Sequence, residues 1–297
     1  MASKKWLYNK NVIITGASSG IGFFLAKILA LKFGCNIIGT GRSEQKLIKA
    51  KEQIDELLND QKDSRKHQKG SYNYYPFDVS NFESWQKFKT DLEEKGFNVD
   101  VLINNAGVFL PFENFETQDL DKALKLVQIN FYSHLYAYKT FGQTLKNKKG
   151  AFISIASSSA LCPVVGASVY SASKAATKNF IESLRVEHRK DMFVSLVCPG
   201  FADTDLFREQ ELSRLVKSIC MPAEKMAKKI VRKIARKRRR IVVGFDAHLM
   251  NGFYKLFPRS AGKTIATVLK LAHDPMFDNV FEGNDKKRKK RAVESEK

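Results

Sequence analysis

Cysteine is scarce in this 297-residue chain, with only Cys35, Cys162, Cys198 and Cys220. They lie far apart and form no C-x-x-C pair. This argues against a disulfide framework or a thiolate metal site and favours a reduced, intracellular setting. Long apolar runs are missing too. No stretch approaches the roughly 20 residues that span a bilayer. Residues 1–10 are polar and basic, and the first apolar run, 12–14, is too short for a signal-peptide core. A cytoplasmic location is the expectation, with binding at a membrane surface left open. Carboxylates are in short supply, 31 against 51 Lys and Arg, for a formal charge of +20. That excess suits a phosphate-bearing ligand, anionic lipid or nucleic acid, or simply one basic tail. A hydrophobic fraction of 43% provides a real core and excludes global disorder.

Short apolar strands alternate with amphipathic helices. Strands are predicted at 12–15, 36–40, 72–77, 99–103, 151–155, 193–197 and 241–243. Helices are predicted at 23–33, from Ser43 as a cap through Leu58, from the 78–81 turn onward, 120–145, 168–189 and 226–240. The βαβ order implies a doubly wound parallel sheet with helices on both faces. The stretch 60–69 resembles a polar insertion. Residues 246–282 are apolar and aromatic and read as a C-terminal helical extension to a domain of residues 1–245. Residues 283–297, with an unbroken basic run at 286–291, read as a disordered tail.

The first strand ends in Gly16-Ala17-Ser18-Ser19-Gly20-Ile21-Gly22. Glycines at this spacing permit a tight turn, and the following helix start offers free N–H groups to a pyrophosphate. The turn therefore makes Gly16, Ser18, Ser19, Gly20, Ile21 and Gly22 candidate dinucleotide contacts. At the end of the second strand no carboxylate stands where one would bind a ribose 2′-hydroxyl. Arg42, with Ser43 beside it, is available for a 2′-phosphate instead, so the cofactor expected is NADP(H). Tyr170 and Lys174 are four residues apart and share one helix face. A nearby ammonium favours the phenolate and lowers the tyrosine pKa, which makes Tyr170 a plausible acid/base. Ser157 follows the fifth strand, at the carboxyl end of the sheet, where its hydroxyl can bond a substrate oxygen.

In order and spacing, Thr15-Gly16-x-x-x-Gly20-x-Gly22, Asn104-Asn105-Ala106-Gly107, Ser157, Tyr170-x-x-x-Lys174 and Pro199-Gly200 resemble the short-chain dehydrogenase/reductase family over roughly residues 9–206. The resemblance implies a Rossmann-type domain and hydride transfer between nicotinamide and a carbonyl or alcohol. It implies that Asn130 helps hold a proton-relay water and that Asp78 and Val79 lie beside the adenine. It places Asn105, Ala106 and Gly107 along the adenosine side, Lys174 on the nicotinamide ribose, and Pro199, Gly200 and Thr204 near the nicotinamide. It also implies a homo-oligomer, dimer or tetramer. The family often has Asn where this chain has Ser154.

The segment 202–225 is the expected substrate lid. Phe201, Leu206, Phe207, Leu212, Leu215 and Val216, with Phe109 to Phe112 as a second wall, suggest a hydrophobic ketone, steroid or lipid-like substrate. The basic helix 226–240 and the apolar stretch after it suggest docking on an anionic membrane. A protein that binds NADP(H) as a regulator, without turnover, is the alternative. Nucleic acid is not an expected partner.

Overall fold

The computed structural model describes residues 4–60, 68–204, 206, 220–272 and 275–281. The core begins with β1 (Asn11–Thr15), an apolar strand buried on both faces. It pairs in parallel with β2 (Asn36–Gly41) on one side and β4 (Val101–Asn104) on the other. The seven-stranded sheet continues with β3 (Ser71–Pro76), β5 (Ala151–Ile155), β6 (Phe193–Pro199) and β9 (Arg240–Val243), in the order β3-β2-β1-β4-β5-β6-β9. Every pairing in it is parallel. Continuous apolar strands are what a sheet covered on both faces requires.

Alternation along the strands divides the core. Val12 and Ile14 of β1 face one layer, formed by α1 (Gly20–Phe33), α2 (Glu44–Asn59) and α7 (Ala223–Ala235). Ile13 faces the other, formed by α3 (Phe82–Glu94), α5 (Ser133–Asn147) and α6 (Ser168–Glu187). α8 (Phe245–Leu256) and α9 (Ala261–Ala272) follow β9. A short two-stranded pair, β7 (Ala202–Asp203) with β8 (Met221–Pro222), brackets residues 205 and 207–219. The doubly wound parallel sheet expected from the sequence is present, with helices on both faces.

Several boundaries differ from the sequence expectation, three of them for a visible reason. The single helix anticipated over 120–145 is α4 (Leu120–Val127), a π turn (Gln128–Tyr132) and α5. The interruption has a cause. Thr177 Oγ1 donates to the Asn130 carbonyl at 3.0 Å, and the Asn130 side chain is bonded to the Val108 backbone. The basic helix expected to reach 240 stops at Ala235, because the chain must reverse, with Lys237 at φ 53°, to enter β9. The fourth strand begins at Val101, after the Asp100 amide has bonded the Asn11 carbonyl. Phe207, Leu212, Leu215 and Val216 of the anticipated lid, most of the 60–69 stretch and the basic tail lie outside the described residues.

Trp85 of α3 is fully buried among Phe77, Phe88 and Phe141, and its indole donates to the Val79 carbonyl at 2.9 Å. Trp85→Ala should cost about 3–5 kcal/mol through the cavity and the orphaned carbonyl. A urea unfolding curve with an unchanged slope and a lowered midpoint would register this.

Candidate active site

Between β1 and β4 the order of connection reverses, so the crossovers on either side leave in opposite directions and open a crevice at the strands' carboxyl ends. A cavity of about 620 Å³ lies there. Its lining runs from Gly16, Ser18, Ser19, Gly20 and Ile21, past Asp78, Val79, Asn105, Ala106 and Gly107, to Ser157, Tyr170, Lys174, Pro199, Gly200 and Thr204.

The glycine turn is built by close approach. A side chain on Gly22 would place a Cβ 2.1 Å from the Gly16 carbonyl oxygen, so Gly22 packs the turn instead of lining the cavity. Gly16 itself has φ +64°. The Thr15 hydroxyl then fastens β1 to β4. It donates to Asn104 Oδ1 at 2.7 Å and accepts from the Asn105 and Ala106 amides at 2.9 Å each. Asn105 Nδ2 answers by donating to the Thr15 carbonyl at 3.0 Å. Ser19 makes no side-chain cap on α1, whereas Ser43, Asn81 and Asp119 cap α2, α3 and α4. The first N–H groups of α1 are thus left for an anion on the cavity side, where the dipole favours it.

At the far end Arg42 lines the cavity, exposed, with no carboxylate paired to it among the described residues. Lys46 lines the same corner, one helical turn into α2, and sequence reading missed it. Ser43, expected to contact cofactor, does not line the cavity. Its hydroxyl accepts from the Lys46 amide at 3.4 Å and caps α2. Burial pushes the Asp78 carboxyl upward, but Ser80 hydrogen bonds and the Lys125 cation at 3.5 Å prevail and hold its pKa below the ordinary value.

At the other end Tyr170 and Lys174 rise from α6. The Lys174 ammonium lies 5.7 Å from the Tyr170 ring centroid, and the Ser157 hydroxyl, which accepts from the Ser159 amide at 3.2 Å, faces the same cavity and favours the phenolate. From sequence alone the neighbouring ammonium is expected to lower the tyrosine pKa. Here burial is the larger effect on both groups. Tyr170 is pushed up to about 12 despite Ser157, and Lys174 is pushed down to about 8. Lys174 is a 3%-exposed cation with no ion-pair partner among the described residues, its nitrogen beside Gly107. A buried unpaired ammonium facing a cavity fits a ligand rich in hydroxyl and phosphate oxygens. A dinucleotide therefore fits this cradle: glycine turn, open helix start, Arg42 and Lys46 at one end, Lys174 at the other.

Asn130 stands behind the cavity and is fully buried. Its side-chain oxygen accepts from the Val108 amide at 2.8 Å and its nitrogen donates to the Val108 carbonyl at 2.9 Å, which fixes the loop after β4. One turn on, His134 was not singled out in the sequence. It is buried, with Nδ1 2.5 Å from the Ser154 hydroxyl and Nε2 without a hydrogen-bond partner among the described residues. Burial, then the Lys174 charge, holds its pKa well below 6.5.

A neutral buried histidine makes stability depend on pH. Below the unfolded value the denatured chain binds a proton that folded His134 refuses. Stability is therefore complete above about 6.5 and is lost as pH falls toward the depressed folded value. His134→Gln removes this term, so its urea midpoint should fall less than that of the parent when both are compared at neutral and mildly acidic pH. Equal losses in both would contradict the assignment.

A family model for the short chain dehydrogenase matches residues 10–214. An 11-beta-hydroxysteroid dehydrogenase-like 2 from Arabidopsis thaliana is 38% identical over 203 residues, 68% of this chain and 62% of that protein. The match thus spans less than two thirds of that relative's length. Among solved structures, a short chain dehydrogenase from Burkholderia cenocepacia in complex with NADP superposes with a TM-score of 0.70 at 20% identity, covering 87% of this chain and 98% of that one. One from Burkholderia phymatum in complex with NAD gives 0.72 at 20% identity, covering 87% and 96%. At such identities the likeness is one of fold. The family model, which spans well over half of the chain, decides the matter: this protein belongs to the short-chain dehydrogenase/reductase family.

Proposed function

We propose that the protein is an NADP(H)-dependent oxidoreductase that reduces the carbonyl group of a hydrophobic substrate, or oxidises the corresponding alcohol. The observation that carries the reading is the meeting of Tyr170, Ser157 and Lys174 at one end of a cavity whose other end is the glycine turn with Arg42. Bound along that cradle, the reduced nicotinamide would supply the hydride. The chain's own residues manage the rest. Ser157 donates a hydrogen bond to the carbonyl oxygen and orients it. Tyr170, which keeps its proton far above neutral pH, donates that proton to the same oxygen as the alcohol forms. Lys174 holds ribose hydroxyls, and Gly200 and Thr204 shape the floor. Asn130 acts by holding Val108 in place.

NADP(H) over NAD(H) rests on Arg42 and Lys46, two cations at the corner where a 2′-phosphate would sit, and on the missing carboxylate there. The apolar substrate rests on Phe109, Pro111, Phe112, Val164, Phe201 and Leu206 along the cavity wall. A steroid or lipid-like ketone fits this wall, in keeping with the steroid dehydrogenase-like name of the Arabidopsis relative. A homo-oligomer is supported by the exposed apolar Leu120 and Leu124 on α4 and Val186 on α6. No described helix is long and apolar enough to cross a membrane, and peripheral contact with anionic lipid is part of the reading.

Tyr170→Phe should lower turnover by about 10²- to 10⁴-fold while leaving NADPH affinity within a few-fold. Reductase assays paired with a fluorescence titration separate the two effects. Cofactor binding by the parent protein without turnover on any apolar carbonyl would favour the regulator reading. Arg42→Ala should raise the KM for NADPH by about tenfold or more and leave that for NADH nearly unchanged. Parallel losses for both cofactors would remove Arg42 from the phosphate corner.

A further inference from the structure

The C-terminal helices are apolar on two faces. Inward, Met250 of α8 and Leu269 of α9 pack against the cluster of Phe112, Val164 and Phe277 that also takes in Tyr170. Outward, α8 presents Phe245 (81% exposed), Leu249 and Leu256 (74%), at positions i, i+4 and i+11. The connection adds exposed Phe257, and α9 adds Val268 and Leu271 (71%). The connection is short, with the Ala261 amide on the Phe257 carbonyl at 2.9 Å, so one stripe follows directly on the other along the chain. Exposed large apolar residues gathered on one element mark a surface that meets something.

The surrounding charge says what it meets. Lys255, Arg259, Lys263 and Lys270 are all exposed around these stripes. The sole carboxylate of the two helices, Asp246, is turned inward and accepts from the Phe201 amide at 2.7 Å. A second copy docked on this face would set cation against cation. A bilayer with anionic headgroups offers charge to the rim and hydrocarbon to the stripe. The basic helix α7, the other candidate from the sequence, is not available for insertion. Met226, Ile230 and Ile234 are buried against α1, so its outer face carries charged side chains, cations with Glu224 among them, and no large apolar one.

We infer that the outer face of α8 and α9 seats the protein on an anionic lipid surface, with the mouth of the cavity held at the bilayer. This deepens the proposed peripheral contact and rests, for its use, on the apolar-substrate reading. The inner face of the same helices packs against the cluster of Phe112, Val164 and Tyr170 that lines the cavity, and Asp246 ties α8 to the Phe201 backbone. A side chain on Gly200 would meet that carboxylate at 2.1 Å. A lipid-dissolved carbonyl would thus reach Tyr170 from the membrane without crossing water.

The test is cosedimentation of the full chain with neutral phosphatidylcholine vesicles and with vesicles containing phosphatidylserine, at low and high salt. The comparison set is a Leu249→Ser/Leu256→Ser/Leu271→Ser variant and one with the 286–291 cations replaced by Ser. The parent should bind phosphatidylserine vesicles and keep part of that binding at high salt. The triple variant should lose the salt-resistant part, by tenfold or more, with unchanged circular dichroism, while the tail variant keeps it. Equal binding by parent and triple variant, binding fully abolished by the tail change, or no binding by the parent would overturn the inference. So would a changed oligomeric state of the triple variant without vesicles, which would make the face a protein interface. NADPH oxidation with a water-soluble carbonyl, measured without vesicles, reports separately on the proposed reaction.

Discussion

The reversal of strand order between β1 and β4 is the constraint on which everything else hangs. A parallel sheet whose crossovers diverge must leave a crevice at that point, and the Thr15 hydroxyl fixes how wide it is. One oxygen ties β1 to Asn104, Asn105 and Ala106. With those two loops clamped, the glycine turn and the start of α1 face the loop after β4 across a fixed gap. Lys174 and Tyr170 then arrive from α6, and Ser157 from the end of β5, at one end of a cavity whose other end is already set.

Burial decides the electrostatics of that end. A simple pairing argument has Lys174 drawing down the Tyr170 pKa. In the folded protein burial sets both groups, so the phenol is a firm neutral donor, with Ser157 the influence that opposes, and the ammonium is held uneasily. Such a site is poised to accept anionic and hydroxyl-rich groups, because they relieve the cost of the buried cation. His134 underneath adds no charge, and Asn130 spends its amide on the backbone. The proposed chemistry therefore falls to few atoms: one hydroxyl that orients, one that gives up a proton, and a cation that binds.

Much of this was legible in the sequence, and the parts that were not share a reason. Continuous apolar strands such as residues 12–15 announce a doubly covered parallel sheet, and the spacing of Gly16, Gly20 and Gly22 announces the turn. Both are local signals. Lys46 escaped notice because only the direction of α2 brings it beside Arg42. Ser43 carries two readings in sequence, cap and ligand, and the structure shows the cap. The π turn at Asn130 depends on Thr177 from another helix, and no window of residues around 130 contains it. His134 and Ser154 are far apart along the chain and meet only when α5 packs on β5. For α7 the apolar face was visible, but not what would cover it.

The proposed reaction stands or falls with hydride delivery to a carbonyl carbon. It is tested most directly with NADPH carrying deuterium at the transferable position of the nicotinamide and a hydrophobic ketone as substrate, with the product read by mass spectrometry. The expected product is an alcohol bearing one deuterium on the carbinol carbon, formed by the parent protein and absent with Tyr170→Phe. An alcohol without deuterium, or equal label with the variant, would contradict it.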